Sequence, residues 1–357
     1  MLFDQMKLGK ITLKNRVVMC PLTRSRATAD HIPTALMAEY YAQRADAGLI
    51  ISEGTSPSKN GSGYPRIPGL YNEEQVLGWK KVTAAVHEKN GRIFAQLMHT
   101  GAVSNLLNME AGARVMSASS HQLVGQMYTD QQGLQPHSPA AEMTSAEIES
   151  TIEEYVSAAR NAIRAGFDGV EVHGANGYLI EQFLRKTTNL RRDSWGGDIQ
   201  NRSKFLFEVV RRIGNKIGFD RVGVRLSPFG TAAGMSSYPG MKDEYVYVLE
   251  KLAKLHLAYV HLLDHSAMGG GEVPADAKAA FRKAFDGKLI LAGNYEAIRA
   301  EQDLNTGAAQ MIAFGRPFIS NPDLVKKMKA GAPLTQPDPS TFYTPGAKGY
   351  TDYPSSA

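Results

Sequence analysis

Short apolar runs alternate along the chain with longer stretches whose apolar residues recur at helical spacing. The runs are RVVMCPL (16–22), GLIISEG (48–54), RIFAQLMH (92–99), GVEVHG (169–174), RVGVRLSP (221–228), YVHLLD (259–264), KLILAGN (288–294) and AAQMIAFGR (308–316). Most are continuously apolar, as a strand buried on both faces requires. Between them, residues 73–89 carry Val76, Trp79, Val82 and Val86 on one helical face. Residues 145–165 follow Thr144, an N-cap whose partner acid is Glu147. Residues 202–217 align Phe205, Leu206, Val209, Val210 and Ile213, and stretches 245–255 and 297–304 obey the same rule. Strand then helix, eight times, predicts a single-domain α/β fold, the (β/α)8 barrel. A doubly wound sheet is the alternative, but no GxGxxG follows the first strand.

Three segments depart from this rhythm. Within the first 15 residues, 2–13 read as a hairpin closing the barrel floor. Residues 100–144 form a long excursion after the third strand, with strand-like pieces flanking the turn at 129–133. Loops this long usually serve as lids or binding walls. The tail 337–357 holds Phe342, Tyr343, Tyr350 and Tyr353, too many aromatic rings for a solvated coil, so it is expected to pack.

Composition narrows the class. Apolar residues make up 43% of the 357 and charged ones 21%, an ordinary globular balance. The net charge of +5 is spread over scattered pairs such as Lys80–Lys81 and Arg211–Arg212, a solvated surface rather than a nucleic-acid stripe. One cysteine, Cys20, excludes an intrachain disulfide and a cysteine-held metal cluster, and fits a reducing compartment. The first residues lack a signal-peptide pattern, and no apolar run approaches the ~18 residues of a membrane span. The expectation is a cytoplasmic protein with no membrane or nucleic-acid partner.

In such a barrel the chemistry sits at the carboxyl ends of the strands. The ends offer Pro21-Leu22-Thr23, Glu53-Gly54, Gln96 and Met98, His173, Arg225, Gly293-Asn294 and Gly315-Arg316. The last two pairs suit a phosphate: glycines admit backbone N–H groups and Arg316 grips oxygens. His173, Asn176 and Tyr178 form the sharpest constellation. If a helix begins just past the strand, His173 and Asn176 share one face and donate to one oxygen, with the Tyr178 phenol beside them. No second ligand has metal spacing to His173. Arg225 faces inward and needs either a carboxylate such as Glu171 or an electron-rich cofactor edge. His99 and Cys20 read as structural, and Gly269–Gly271 as a loop. Arg185, Lys186, Arg191 and Arg192 read as a solvated basic turn.

Several long motifs in order, PLTRSRA, HGANGYLIEQFL, WGGDIQNR, VGVRLSP and AFGRPFISNPDL, resemble the old yellow enzymes over nearly the whole chain. The resemblance implies an FMN-dependent ene-reductase, similar to N-ethylmaleimide reductase, with noncovalent FMN at the barrel mouth. It places Pro21, Leu22 and Thr23 against the flavin, Gly54 and Gln96 on its pyrimidine side, and Arg225 near N1 and O2. It gives Gly293, Asn294, Gly315 and Arg316 the phosphate. His173 and Asn176 would bind the substrate's carbonyl or nitro oxygen, Tyr178 would give the proton, and Tyr64, Met98 and Tyr343 would wall the pocket. Met98 stands where many relatives carry Trp, Trp195 replaces a usual Tyr, and Thr23 rather than Cys marks the yeast-like and enterobacterial branch.

The implied reaction is reduction of the activated C=C bond of small α,β-unsaturated carbonyl or nitro compounds. Hydride passes from NADPH or NADH through flavin N5 in a ping-pong sequence. The chain is expected to act as a monomer or weak homo-oligomer. Two other readings have discriminants. A flavin-sequestering barrel would not need the set of His173, Asn176 and Tyr178. A nonflavin aldolase or isomerase would want a buried Lys or a carboxylate pair beyond Glu53 and Glu171.

Overall fold

The computed structural model describes residues 1–355, without the side chains of Ala267 and Met268. Ser356 and Ala357, the end of the tail expected to pack, lie outside the described residues. The N-terminal hairpin pairs β1 (Met6–Leu8) with β2 (Ile11–Leu13). Strands β3 (Val17–Met19), β4 (Leu49–Ile51) and β5 (Ile93–Leu97) follow. The excursion holds β6 (Met116–Ser117), β7 (Gln126–Thr129), β8 (Gly133–Pro136) and β9 (Ala141–Glu142). Then come β10 (Gly169–Gly174), β11 (Val222–Leu226), β12 (Tyr259–Leu263), β13 (Leu289–Ala292) and β14 (Met311–Phe314). β3–β5 and β10–β14 close into one eight-stranded parallel barrel, inside the runs expected from sequence.

The outer layer is α1 (Ala35–Gln43), α2 (Glu73–Glu88), α3 (Ser145–Arg164), α4 (Leu179–Leu184), α5 (Ile199–Arg202) and α6 (Lys204–Ile217). It continues with α7 (Met241–Ala253), α8 (Ala275–Ala284), α9 (Ala297–Asn305), α10 (Arg316–Ser320) and α11 (Leu324–Ala330). The capping box of Thr144 and Glu147 is present. The stretch 202–217 departs from expectation: the chain breaks at Ser203 between α5 and α6, whose Ser203 hydroxyl bonds back to Ile199 O at 2.5 Å.

Strand parity sorts the side chains. Val17, Met19, Ile93, Ala95, Val170, Val172, Val222, Val224, Val260 and Leu262 face outward and pack with the helices. Val18, Ile51, Phe94, Tyr259, Ile290 and Met311 face inward and pack on Leu8 and Leu13 of the hairpin, which thus plugs the floor. Phe94 and Tyr259 fill the lower barrel because Gly169 and Gly223 stand against their rings; a Cβ at either glycine would collide with the aromatic side chain. By the same parity Gln96, Glu171, His173, Arg225 and His261 point inward, one layer higher.

The tail packs through the PLTRSRA motif. Arg24 donates to Phe342 O at 3.0 Å and Gly349 O at 2.7 Å, and Arg26 to Phe342 O at 2.7 Å and Thr341 O at 2.9 Å. Tyr350 is buried, stacked on Tyr40 with centroids 4.0 Å apart. In the excursion, β7 and β8 form the expected hairpin, tied down by an Arg66–Asp130 ion pair.

Candidate active site

A polar layer crosses the upper barrel. Gln96, on β5 in register with Glu171, donates its amide to Glu171 Oε1 at 2.8 Å. His261 Nδ1 lies 2.9 Å from Glu171 Oε2, and all three side chains are buried. Burial pushes the Glu171 carboxyl up, but His261 and Arg225 outweigh it and hold it below its ordinary range. Burial pushes His261 down. Glu171 is therefore an anion, and His261 donates to it from Nδ1. Arg225 sits on β11 between His173 and His261 in register. It is buried, and its Nε has no hydrogen-bond partner. Of the two partners the sequence left open, Glu171 acts on Arg225 through charge while bonding to Gln96 and His261, so the buried Nε still calls for an acceptor.

Above this layer β10 ends at Gly174 and the chain turns. Here the structure corrects the expected helical spacing. Asn176 and Gly177 both adopt left-handed conformations, φ +60° and +78°, and α4 starts only at Leu179. Gly177 is needed for that φ and for space, since a Cβ there would lie 2.6 Å from Ala233 Cβ. The turn rather than a helix face brings the Asn176 amide to 3.5 Å from His173 Nε2. His173 Nδ1 accepts the Ala175 N–H at 3.3 Å, so the ring proton sits on Nε2. Burial, aided by the charge of Arg225, pushes His173 well below the ordinary imidazole range and keeps it neutral.

Tyr178 stands edge-on to His173, centroids 5.0 Å apart. Its hydroxyl donates to Tyr64 Oη at 3.2 Å. Tyr343 is 61% exposed, yet near enough for its phenol to raise both neighbours' pKa values alongside the larger effect of burial. Met98 is buried at the end of β5, and its thioether covers Gly54, where a Cβ would collide with it.

The turn is anchored from below by residues to which the sequence pattern assigned no role. Glu181 accepts the Gly177 N–H at 2.8 Å, the Ser227 hydroxyl at 3.0 Å and a two-pronged grip from Arg185 at 3.0 and 2.8 Å. Ser227 in turn receives the Asn176 N–H at 3.0 Å. The solvated basic turn is thereby overturned for two members. Arg185 is fully buried on Glu181, and Arg191 is buried on Asp193 and the carbonyls of Ala118 and Met143. A Glu on α4 and an Arg four residues on, just past the helix end, are a visible signal, but the pair reads equally as a surface ion pair. His265, in the loop after β12, meets Asn176 Oδ1 at 2.9 Å. Gly269–Gly271 lies in that loop, where Gly270 N donates to His265 O.

On the opposite rim, Pro21, Leu22 and Thr23 are half-buried at the end of β3. Gly293 and Asn294 adopt positive φ after β13. Gly315 follows β14, next to Leu22 and Cys20, and Arg316 opens α10 exposed. β13 and β14 are neighbours, so these turns lie side by side. Cys20 is buried with its thiol pushed up to about 11, and buried His99 is pushed down to about 3. At neutral pH the thiol therefore keeps its proton and the imidazole is neutral. Among the described residues no three His, Cys, Asp or Glu side chains gather to hold a metal. No described helix is long and apolar enough to cross a membrane.

Residues 1–335 match the model of the NADH:flavin oxidoreductase / NADH oxidase family. A chanoclavine-I aldehyde reductase from Penicillium roqueforti is 42% identical over 100% of this chain and 96% of its own. A probable flavin mononucleotide-dependent alkene reductase from Leishmania infantum is 41% identical over 97% and 95%. The solved old yellow enzyme homologue from Zymomonas mobilis superposes with a TM-score of 0.95 at 42% identity, covering 99% of each chain. The chain belongs to this family, among the old yellow enzymes, and is an FMN-dependent oxidoreductase that takes hydride from a nicotinamide.

Proposed function

We propose that the site reduces the activated C=C bond of α,β-unsaturated carbonyl or nitro compounds. One observation carries this reading: the His173 Nε2–H and the Asn176 amide stand 3.5 Å apart beside a phenol. The likeness to a probable alkene reductase supports it.

The buried Arg225 Nε without a partner fits the electron-rich edge of FMN. Pro21, Leu22, Thr23, Gly54 and Gln96 would hold its ring, Gln96 through the carbonyl left after its amide bonds Glu171. Gly293, Asn294, Gly315 and Arg316 would hold its phosphate. When bound, FMN supplies a carrier that accepts hydride from NADPH or NADH and gives it up to an alkene.

The chain's own residues do the rest. His173 and Asn176 hydrogen-bond the substrate oxygen, where negative charge grows as the β-carbon gains hydride. The buried surroundings strengthen those bonds. Tyr178 then protonates the α-carbon. Burial raises its pKa, so it holds the proton at neutral pH until an enolate takes it. Tyr64, Met98 and Tyr343 border the substrate. The same reading takes the protein as a cytoplasmic monomer or weak homo-oligomer acting on small molecules. Its test is incubation of holoenzyme and NADPH with 2-cyclohexenone. Cyclohexanone as product supports the reading, and cyclohexenol, or no reaction with any enone or nitroalkene, refutes it.

A further inference from the structure

His265 stands 89 positions from Asn176 in sequence, and its ring nitrogens are committed by their surroundings. Nδ1 lies 3.2 Å from the Thr231 backbone N–H, which can only donate. Nδ1 therefore carries no proton, and the proton of the neutral ring is on Nε2. Nε2 in turn lies 2.9 Å from Asn176 Oδ1, an atom that can only accept. Two glycines leave room for this ring. A Cβ at Gly230 would lie 2.8 Å from His265 Cε1, and one at Gly270 2.7 Å from His265 Cβ. The loop is built tightly around the imidazole.

The consequence falls on Asn176. An asparagine amide has one accepting and one donating end, and nothing in its own shape chooses between them. Without a partner on its far side, Asn176 can turn Oδ1 toward His173 Nε2–H and make an internal hydrogen bond. That bond would consume both groups and close the place where a substrate oxygen must sit. With Oδ1 held by His265, the NH2 end faces His173 instead. The two donors 3.5 Å apart cannot bond each other and are left to share an external acceptor.

We infer that His265 is a positioning residue, whose Nε2–H pins the Asn176 amide so that its NH2 joins His173 Nε2–H in gripping the substrate oxygen. The inference rests on the reading of that pair given above. Burial and the charges of Arg225 and Arg185 hold His265 below the ordinary imidazole range, while Glu181 and Asp264 pull the other way; the ring is neutral, as the bonding pattern requires.

The test uses FMN-loaded protein and para-chlorophenol, whose phenolate oxygen needs the same two donors. Binding is followed by the change in flavin absorbance. His265→Leu should weaken phenolate binding about tenfold and raise the apparent pKa of the bound phenol, because one charge-assisted donor is lost. His265→Gln, whose amide N–H can reach Asn176 Oδ1, should restore binding to within about threefold. In an Asn176→Ala background, His265→Leu should add no further loss, since it acts only through Asn176. FMN affinity should be unchanged in all three. The inference is overturned if His265→Leu binds the phenol as the wild type does, if Gln fails to rescue, or if the loss persists without Asn176. A different outcome marks failure of the underlying reading: no phenol binding by the wild type, or binding indifferent to His173→Ala, removes the oxygen site itself and this inference with it.

Discussion

The hydroxyl of Tyr178 donates to that of Tyr64 across 3.2 Å, with the two rings at right angles and centroids 6.2 Å apart. The proton that Tyr178 would deliver thus rests on a second phenol until a substrate enters. Burial raises the pKa of both groups, so neither loses its proton at neutral pH. Tyr178→Phe keeps the ring against His173 and removes the proton. Stopped-flow bleaching of the flavin by NADPH should be nearly unchanged in this variant. Reoxidation by cyclohexenone should slow by about 10²–10⁴-fold, the usual weight of a positioned general acid. Slowed bleaching with intact reoxidation would make Tyr178 a nicotinamide contact instead.

His173→Ala tests the oxygen site directly. Its Nε2–H is one of two donors, and deleting a donor to a charged oxygen costs roughly 1.5–3 kcal/mol. Phenol affinity, titrated on the holoenzyme, should fall accordingly while FMN stays bound. Unaltered phenol affinity would take His173 out of the site.

Arg316 opens α10 beside the Gly293–Asn294 turn, where a phosphate would sit. Arg316→Ala should lower FMN affinity more than riboflavin affinity, as fluorescence quenching can measure. Equal losses for the two flavins would assign Arg316 to packing.

Glu53, buried at the end of β4, has its carboxyl pushed up to about 7 by burial, against the pull of hydrogen bonds from Arg24 N and Tyr41. The folded protein therefore keeps this proton between pH 4.5 and 7, where the unfolded chain has released it. The group's stabilising contribution is complete below pH 4.5 and is lost as pH rises through 7. Burying the charge then costs about 3 kcal/mol. Glu53→Gln removes the titration, so the melting temperature of the variant relative to the wild type should climb between pH 5 and pH 9. A difference that stays constant with pH would show that Glu53 is ionised throughout.

The barrel was legible because its signals are local. Apolar runs of strand length and stripes of helical period encode which surface each element must bury, and burial is the dominant driving force. Parity along β10 and β11 likewise dictates that Glu171, His173 and Arg225 point inward once the outward residues are buried under helices. The motif around His173 put His173, Asn176 and Tyr178 at one strand end, and the structure brings the three together at the end of β10. The backbone that joins them was not legible. A helix face and a left-handed turn both bring residues 173 and 176 together, and tertiary contacts hold the turn: Glu181 on the Gly177 N–H, Ser227 on the Asn176 N–H and the close approach of Gly177 to Ala233. Tertiary structure alone decided the partners remote in sequence, Ser227 on the Asn176 N–H and His265 on the Asn176 amide, and it decided that the local pair of Glu181 and Arg185 is buried rather than exposed. Hydrogen bonds are short-ranged and directional, so a side chain's partner depends on angstrom-scale placement of segments that the linear pattern leaves free.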